Sequence, residues 1–228
     1  MVTKKQEKLH HSGTDYQFES EIIQLGPWSS YSLLHDPKHM CFVLSRYKFC
    51  AKMLEGKRSV LEIGCGDGLG APIVAQSVKS LYCIDWDERL IKNNMGRLSN
   101  IKNIEFHTLD ITEKVLNKKF AGIFSIDVIE HLDPKVEKKF MQNSCKSLTD
   151  DGVCIIGTPN ITAEKYATHR SSVQHINLKS HTTLRKLLSR YFRNVFIFSM
   201  NDEVVHTGFG STAHYFLGMG VGKKREEF

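Results

Sequence analysis

The sequence predicts an α/β protein with a mostly parallel sheet of seven strands, helices on both faces and a helical cap at the N-terminus. Short apolar runs alternate with segments of helical periodicity from residue 59 onwards, which is the pattern of parallel strands joined by helices. The last two strand-like runs have no helix between them, so we expect an antiparallel pair at the C-terminal edge of the sheet.

The individual elements follow from apolar periodicity and from the residues that start or stop each run. Residues 21–37 contain Gly26-Pro27 and Asp36-Pro37 and are expected to form a loop, whereas helical spacing predicts the cap helix Lys38–Leu54. Strands are predicted for the apolar runs Ser59–Ile63, Leu81–Ile84, Ile104–His107, Phe120–Ile126, Val153–Gly157, Asn194–Met200 and Thr212–Leu217. Helices are predicted for the segments Ala71–Val78, Glu88–Leu98, Pro134–Leu148 and Thr182–Arg190, the last with Thr182 as its N-cap.

Composition places the chain among globular proteins. It has 228 residues, of which 41% are hydrophobic and 25% charged, and its formal net charge is +6. The longest apolar run, Met40–Leu44, is far shorter than the ~20 residues that span a bilayer, so no membrane span is expected. Residues 1–11 are polar and lysine-rich without an apolar core, which predicts a cytoplasmic protein without a secretory signal. The six cysteines form no C-x-x-C pair, and they are expected to be buried and reduced.

The chain is expected to divide into three parts. Residues 1–55 form a tail and the helical cap, residues 56–220 form the main domain, and residues 221–228 form a charged tail. The mild positive charge permits an anionic ligand without requiring one, and it makes nucleic acid an unlikely partner. The oligomeric state is not predicted.

A glycine-rich turn follows the first predicted strand. In the segment 60–70, a buried strand leads into Gly64, Gly66, Gly68 and Gly70, and a helix follows. Glycine permits a positive φ and a close approach of the backbone to a ligand. A turn of this kind at the carboxyl end of a parallel strand predicts a nucleotide site.

Acidic residues after the next two strands indicate which kind of nucleotide this site binds. Asp85 ends the second strand and is placed to bind ribose hydroxyls, and Asp110 follows the third strand, where an adenine amino group needs an acceptor. The dinucleotide pattern read from Gly64 fails at Leu69, and no G-K-[ST] follows the loop, so a P-loop is excluded.

The E-x-G-x-G-x-G loop and the two aspartates resemble class I S-adenosylmethionine (SAM)-dependent methyltransferases over residues 57–217. The resemblance implies a Rossmann-like fold and SAM as cofactor. It implies that Gly64 and Gly66 flank the methionine part, that Asp85 holds the ribose, and that Trp86 covers the adenine. Glu62 is expected to orient the loop, and Arg46 to pair the SAM carboxylate or an anionic substrate. The implied cofactor residues are Arg46, Glu62, Gly64, Cys65, Gly66, Gly68, Asp85, Trp86, Asp110, Ile111 and Asp127.

A second motif, Asp127-x-x-Glu130-His131, follows the fourth strand, where the resemblance places the transferable methyl group. Residues three apart on a helical turn share a face, so two carboxylates and an imidazole come together. Such a set can bind a divalent cation such as Mg²⁺, Mn²⁺ or Fe²⁺. The turn is similar to that of ubiquinone-pathway O-methyltransferases and of small-RNA 2′-O-methyltransferases, and the latter resemblance implies His175 as a fourth ligand. Asp127, Glu130 and His131 are the predicted catalytic residues, and the residues leave open whether His131 is instead a metal-free base or a structural residue.

These observations predict a SAM-dependent O-methyltransferase acting on a small hydroxylated or phosphorylated acceptor. Segments 45–49 and 157–160 are similar to methyltransferases of bacterial surface-polysaccharide clusters, which implies an anionic or nucleotide-linked sugar as acceptor. Two alternatives remain open: an RNA 3′-terminal ribose 2′-O-methyltransferase, and a non-catalytic module that binds SAM.

Overall fold

Eight strands form one mixed sheet in the computed structural model, which describes residues 22–166 and 169–224 without the side chains of residues 169–171. The strands are β1 (Val60–Ile63), β2 (Leu81–Asp85), β3 (Ile104–Thr108), β4 (Phe120–Ile126), β5 (Leu148–Pro159), β6 (Phe192–Asn201), β7 (Val204–His206) and β8 (Tyr215–Lys223). Their order is β3-β2-β1-β4-β5-β8-β6-β7.

The first five strands in the sheet order are parallel, and β8 runs antiparallel to both β5 and β6. The predicted α/β class, the mostly parallel sheet and the antiparallel C-terminal strands are therefore confirmed. The eighth strand, β7, was not predicted because it has three residues and pairs only through a tight hairpin in which Asp202 has a φ of 50°.

Seven α-helices lie within the described residues. They are α1 (Pro27–His35), α2 (Pro37–Met53), α3 (Ala71–Ala75), α4 (Glu88–Arg97), α5 (Pro134–Ser147), α6 (His169–Gln174) and α7 (His181–Ser189). Two separate clusters of buried apolar side chains flank the sheet, one of them including the buried face of α2. None of the described helices is long and apolar enough to cross a membrane.

Two local predictions were wrong. Residues 27–35 are helix α1 rather than loop: Pro27 occupies the first turn, where its missing N–H costs nothing, and the Asp67 carboxylate accepts the N–H of Ser29. The N-cap of α7 is Ser180 rather than Thr182, because Ser180 and Thr183 exchange hydrogen bonds in a capping box.

Some predicted features lie outside the described residues. These are the tail over residues 1–21 and residues 225–228 of the charged C-terminus.

The parallel register brings the functional motifs to one edge of the sheet. Glu62 on β1 is aligned with Cys83 on β2 and with Phe124 on β4. The glycine turn after β1, Asp85 at the end of β2 and Asp127 after β4 therefore leave the same carboxyl edge, where ligands bind in open α/β sheets.

Candidate functional site

The turn after β1 has a backbone that only glycine adopts readily. Gly64, Gly66 and Gly68 have φ values of 76°, 53° and 70°. A Cβ on Gly64 would lie 2.3 Å from Cγ2 of Val128, the residue that follows Asp127. The turn therefore packs closely against the segment that follows β4, and this contact leaves no room for a side chain at Gly64.

Asp85 and Asn94 hold this turn in place. The two carboxylate oxygens of Asp85 accept the N–H groups of Gly66 and Asp87, each at 2.9 Å, and Asn94 Nδ2 donates to the Gly66 carbonyl at 2.8 Å. Asp85 is buried, and each of its oxygens keeps a further lone pair. The role of Asn94 was missed from the sequence, because nothing in the spacing of α4 marks it.

Glu62 lies beneath the turn rather than in front of it. Its Oε1 accepts the Tyr47 hydroxyl at 2.9 Å, and its Oε2 accepts the Cys83 thiol at 3.3 Å. Only 1% of the residue is exposed, and this burial raises the pKa of Glu62 to about 7, while the hydrogen bond from Tyr47 works in the opposite direction. The surroundings of Glu62 suit the predicted loop-orienting role, which stays a prediction.

The cap is fastened to the glycine turn by Asp67. Its carboxylate accepts both the N–H (2.7 Å) and the hydroxyl (2.8 Å) of Ser29, in the first turn of α1. The Trp28 ring lies over Gly66, where an added Cβ would come within 2.8 Å of it. Arg97 ties the same region together by donating to the carbonyls of Gln24 and Asp67. These contacts join residues that are far apart in sequence, so the sequence did not reveal them.

A cavity of about 190 Å³ lies between the glycine turn and the cap. Its lining comes from the cap, from the turn and from the end of β4: Trp28, Ser29, Ser32, His39, Met40, Val43, Tyr47, Gly64, Cys65, Gly66, Asp67, Leu69, Ile126 and Asp127.

The remaining predicted cofactor residues lie outside this lining. Trp86 is 73% exposed, Ile111 is buried, and Asp110 accepts from the backbone and hydroxyl of Thr112 through one oxygen. Gly68 adjoins Asn94 beneath the turn.

Asp127 lines the cavity and forms an ion pair with the buried Arg46. It is one of two residues other than glycine with positive φ (56°) in the described chain, and its carboxylate pairs with Arg46 at 2.6 Å. The Arg46 guanidinium lies 3.9 Å from the centre of the Tyr215 ring, and the charge of Asp127 raises the pKa of Arg46 against the effect of its burial. Burial and the charge of Arg46 lower the pKa of His39, which lines the cavity. Arg46 thus lies behind Asp127 and holds its carboxylate at the cavity wall.

Three of the predicted metal ligands come together beyond Asp127. A carboxylate oxygen of Glu130 and a ring nitrogen from each of His131 and His175 all lie within 4.8 Å of one another. Glu130 is fully buried; Thr158 donates to its Oε2 at 3.1 Å, and its Oε1 has no partner among the described residues. Burial, followed by the charge of Asp127, raises the pKa of Glu130 to about 8. Asp127 itself is not in this group, because its carboxylate is turned towards Arg46.

A sheet of this order with a glycine turn after β1 is the framework of class I SAM-dependent methyltransferase domains. Residues 35–191 match the family described as "Methyltransferase domain". The chain belongs to this family.

Individual relatives match this chain over part of its length. The chain is 25% identical over 103 residues to a probable SAM-dependent methyltransferase of Mycobacterium tuberculosis. The aligned region covers 45% of this chain and 36% of that relative. It is 28% identical over 142 residues to the ubiquinone biosynthesis O-methyltransferase of Rickettsia akari, covering 60% of this chain and 55% of that protein. The matches thus span about a third to a half of these relatives.

Solved structures share the fold. The N-methyltransferase NodS of Bradyrhizobium japonicum, in complex with S-adenosylhomocysteine, has a TM-score of 0.62 at 19% identity, covering 87% of this chain and 93% of that one. The methyltransferase domain of bacterial CtHen1-C has a TM-score of 0.67 at 16% identity, covering 79% of this chain and 98% of that one. At these identities the likeness shows the fold alone.

Proposed function

We propose that this protein transfers the methyl group of SAM to an oxygen of a small hydroxylated or phosphorylated acceptor, such as an activated sugar, and that a divalent cation assists the transfer. The observation that carries the proposal is the grouping of Glu130, His131 and His175 at the carboxyl edge of the sheet. Family membership supports the cofactor, and the match to an O-methyltransferase of ubiquinone biosynthesis supports oxygen as the acceptor atom.

The residues of the glycine turn fit SAM. Gly64, Cys65 and Gly66 line the cavity, and the turn carries no side chain at either glycine, so its backbone is open to the close approach of a ligand. In the proposal, Gly64, Cys65 and Gly66 flank the methionine part, and Asp127 lies at the same wall. Asp85 accepts the ribose hydroxyls with its remaining lone pairs, so Asp85→Ala is expected to weaken S-adenosylhomocysteine binding more than tenfold in calorimetry.

The adenine half of the cofactor is proposed to lie outside the present cavity. Trp86 covers its face, and Asp110, with Ile111 beside it, accepts from its amino group. The cavity of about 190 Å³ holds only part of the cofactor, and in this proposal the Trp28 ring, which lies over Gly66, moves aside when the methionine part binds.

The side chains of Glu130, His131 and His175 fit a divalent cation. Two imidazoles and one carboxylate favour Fe²⁺ or Mn²⁺ over Mg²⁺, which prefers oxygen ligands. The Oε1 atom of Glu130 is buried and has no hydrogen-bond partner among the described residues. A bound cation would favour the ionised form of this carboxyl group. When bound, the cation lowers the pKa of an acceptor hydroxyl and favours acceptors with two adjacent oxygens.

The protein's own task is to position the acceptor and to take its proton. The carbonyl of Gln174 lies 3.1 Å from Nδ1 of His131 and can only accept, so Nδ1 of a neutral ring carries the hydrogen. Nε2 of His131 is therefore left with its lone pair as ligand atom or, without a cation, as general base. The Arg46–Asp127 pair keeps the adjoining wall of the cavity rigid.

The test is turnover of SAM to S-adenosylhomocysteine with nucleotide sugars, catechols and a short RNA as separate acceptors, with EDTA and after re-addition of Mn²⁺. We expect EDTA to abolish turnover and Mn²⁺ to restore it. His175→Ala should lose Mn²⁺ binding in calorimetry, whereas His206→Ala, four strands from β4 in the sheet order, should keep it.

Three outcomes would contradict parts of the proposal. Turnover that is indifferent to EDTA would remove the cation and leave His131 as the base. Turnover of RNA alone, falling steeply with salt, would replace the small acceptor by a ribose end. Binding of S-adenosylhomocysteine without turnover of any acceptor would favour a non-catalytic module.

A further inference from the structure

The three grouped side chains come from two segments that are distant in sequence. Glu130 and His131 belong to the turn Ile129–His131 after β4, whereas His175 directly follows α6. His131 and Gln174 are 43 positions apart. The distance between the two histidines therefore depends on what fastens the second segment to the first.

Hydrogen bonds on both sides of His175 make this connection. Before it, the Gln174 carbonyl faces Nδ1 of His131 at 3.1 Å. After it, the backbone N–H of Asn177 donates to the Glu130 carbonyl at 2.9 Å, and Asn177 Nδ2 donates to the Ile129 carbonyl at 3.2 Å. The ring centroids of His131 and His175 lie 5.0 Å apart as a result.

The side-chain amide of Asn177 is itself held by a buried ion pair. Its Nδ2 also donates to Glu137 Oε2 at 2.9 Å, and its Oδ1 accepts from Lys179 at 2.6 Å. Lys179 pairs with the same Glu137 carboxylate, and the two side chains are only 9% and 17% exposed. Charges removed from water in this way are costly unless every polar atom is satisfied, and here they fix the orientation of one amide.

We propose that Asn177 is a positioning residue that sets the placement of His175 against Glu130 and His131, and that Lys179 and Glu137 orient its amide. The inference rests on the proposed function for the role of the three side chains. Asn177 contacts neither acceptor nor cofactor in this proposal and acts through the backbone of both segments.

The test replaces Asn177 by a residue of the same size without its donors. Asn177→Asp loses the bonds to Ile129 and Glu137 and places two carboxylates side by side. We expect Mn²⁺ affinity, measured by calorimetry, to fall about 10- to 100-fold, as for other residues that orient metal ligands. The dissociation constant of S-adenosylhomocysteine should stay unchanged, and Asn201→Asp on β6 serves as the matched control.

A rescue variant separates positioning from general damage. Asn177→Asp combined with Glu137→Gln exchanges donor and acceptor while keeping one positive and one negative charge with Lys179. It should recover part of the lost Mn²⁺ affinity, because the bond between positions 137 and 177 is restored while that to Ile129 is not. Unchanged Mn²⁺ affinity in Asn177→Asp, or a double variant no better than the single one, would overturn the proposal.

A readout without metal distinguishes this inference from the proposed function. In EDTA, nitrogen NMR reports which ring nitrogen of His131 carries the proton, with His131→Gln used for assignment. The wild type should show Nδ1–H, and Asn177→Asp should shift towards a mixture as Gln174 moves away. If the wild type binds no Mn²⁺ but the tautomer shifts in Asn177→Asp, the positioning role of Asn177 stands and the proposed cation is refuted. If the wild type binds no Mn²⁺ and the tautomer is also unaltered in Asn177→Asp, the positioning role is refuted too.

Discussion

Replacing Glu62 by glutamine is expected to stabilise the protein at neutral and alkaline pH. Burial raises the pKa of this carboxyl from 4.5 to about 7, so the folded protein holds the proton more tightly than the unfolded chain does. Stability contributed by the protonated form is complete below pH 4.5 and is lost as the pH rises to about 7. At about 1.36 kcal/mol per pH unit, the full loss is about 3 kcal/mol.

Glutamine keeps the size and an acceptor oxygen for Tyr47 but cannot ionise. Glu62→Gln should therefore match the wild type within ~1 kcal/mol near pH 4.5 and exceed it by about 2–3 kcal/mol at pH 8. Urea denaturation at both values measures this through the midpoint at constant slope. Glu55→Gln, which changes an exposed carboxylate just before β1, is the control.

A wild type and a Glu62→Gln variant with parallel stability curves between pH 4.5 and 8 would show that Glu62 ionises without cost. Its carboxylate would then be compensated by a group other than Tyr47 and Cys83, and the account of the buried turn would be wrong.

Two further predictions concern the glycine turn and the cap. Gly64→Ala forces a Cβ to within 2.3 Å of Val128 at a φ of 76°, so it should cost about 1–3 kcal/mol and weaken S-adenosylhomocysteine binding in calorimetry; Gly96→Ala, with open space around it, should leave that binding unaltered. Asp67→Ala removes the acceptor for the Ser29 N–H and should cost about 1–2 kcal/mol, with faster proteolysis within α1; equal rates of cleavage would contradict the fastening of the cap.

The half of the site around the glycine turn could be predicted because its signals are local. A strand that ends in alternating glycines defines its own turn, and Asp85 is found by counting to the end of the next strand. Parallel pairing then brings these strand ends together without any knowledge of side-chain contacts.

Helix α1 of the cap and the way in which the histidine segment is fastened could not be predicted, since long-range contacts determine them. Helix α1 has only Pro27 as a local start signal, and its first turn is completed by Asp67, which accepts the N–H of Ser29 from 38 positions later in the chain. Asn177 reads as an ordinary polar residue in a loop, and its role depends on the Ile129 carbonyl 48 positions earlier. Asp127 was expected beside Glu130 on one helical face, but its positive φ turns the carboxylate towards Arg46 instead.

The glycine turn and the histidine segment are held in place by separate sets of hydrogen bonds. The glycine turn is fastened by Asp85 and Asn94, and the histidine segment by Asn177 with its ion pair, and none of the hydrogen bonds described between these residues connects the two sets. Asp85 ends β2, and Asn177 bonds to the turn after β4, two strands away in the sheet order, which is about 9–10 Å at the usual strand spacing. Substitutions at such a separation that share no partner are additive within a few tenths of a kcal/mol. The loss of stability in the double variant Asp85→Ala/Asn177→Asp should therefore equal the sum of the losses in the two single variants. The double variant should bind the cofactor as weakly as Asp85→Ala does and Mn²⁺ as weakly as Asn177→Asp does. A coupling above about 0.5 kcal/mol in urea denaturation would contradict the independence of the two sets.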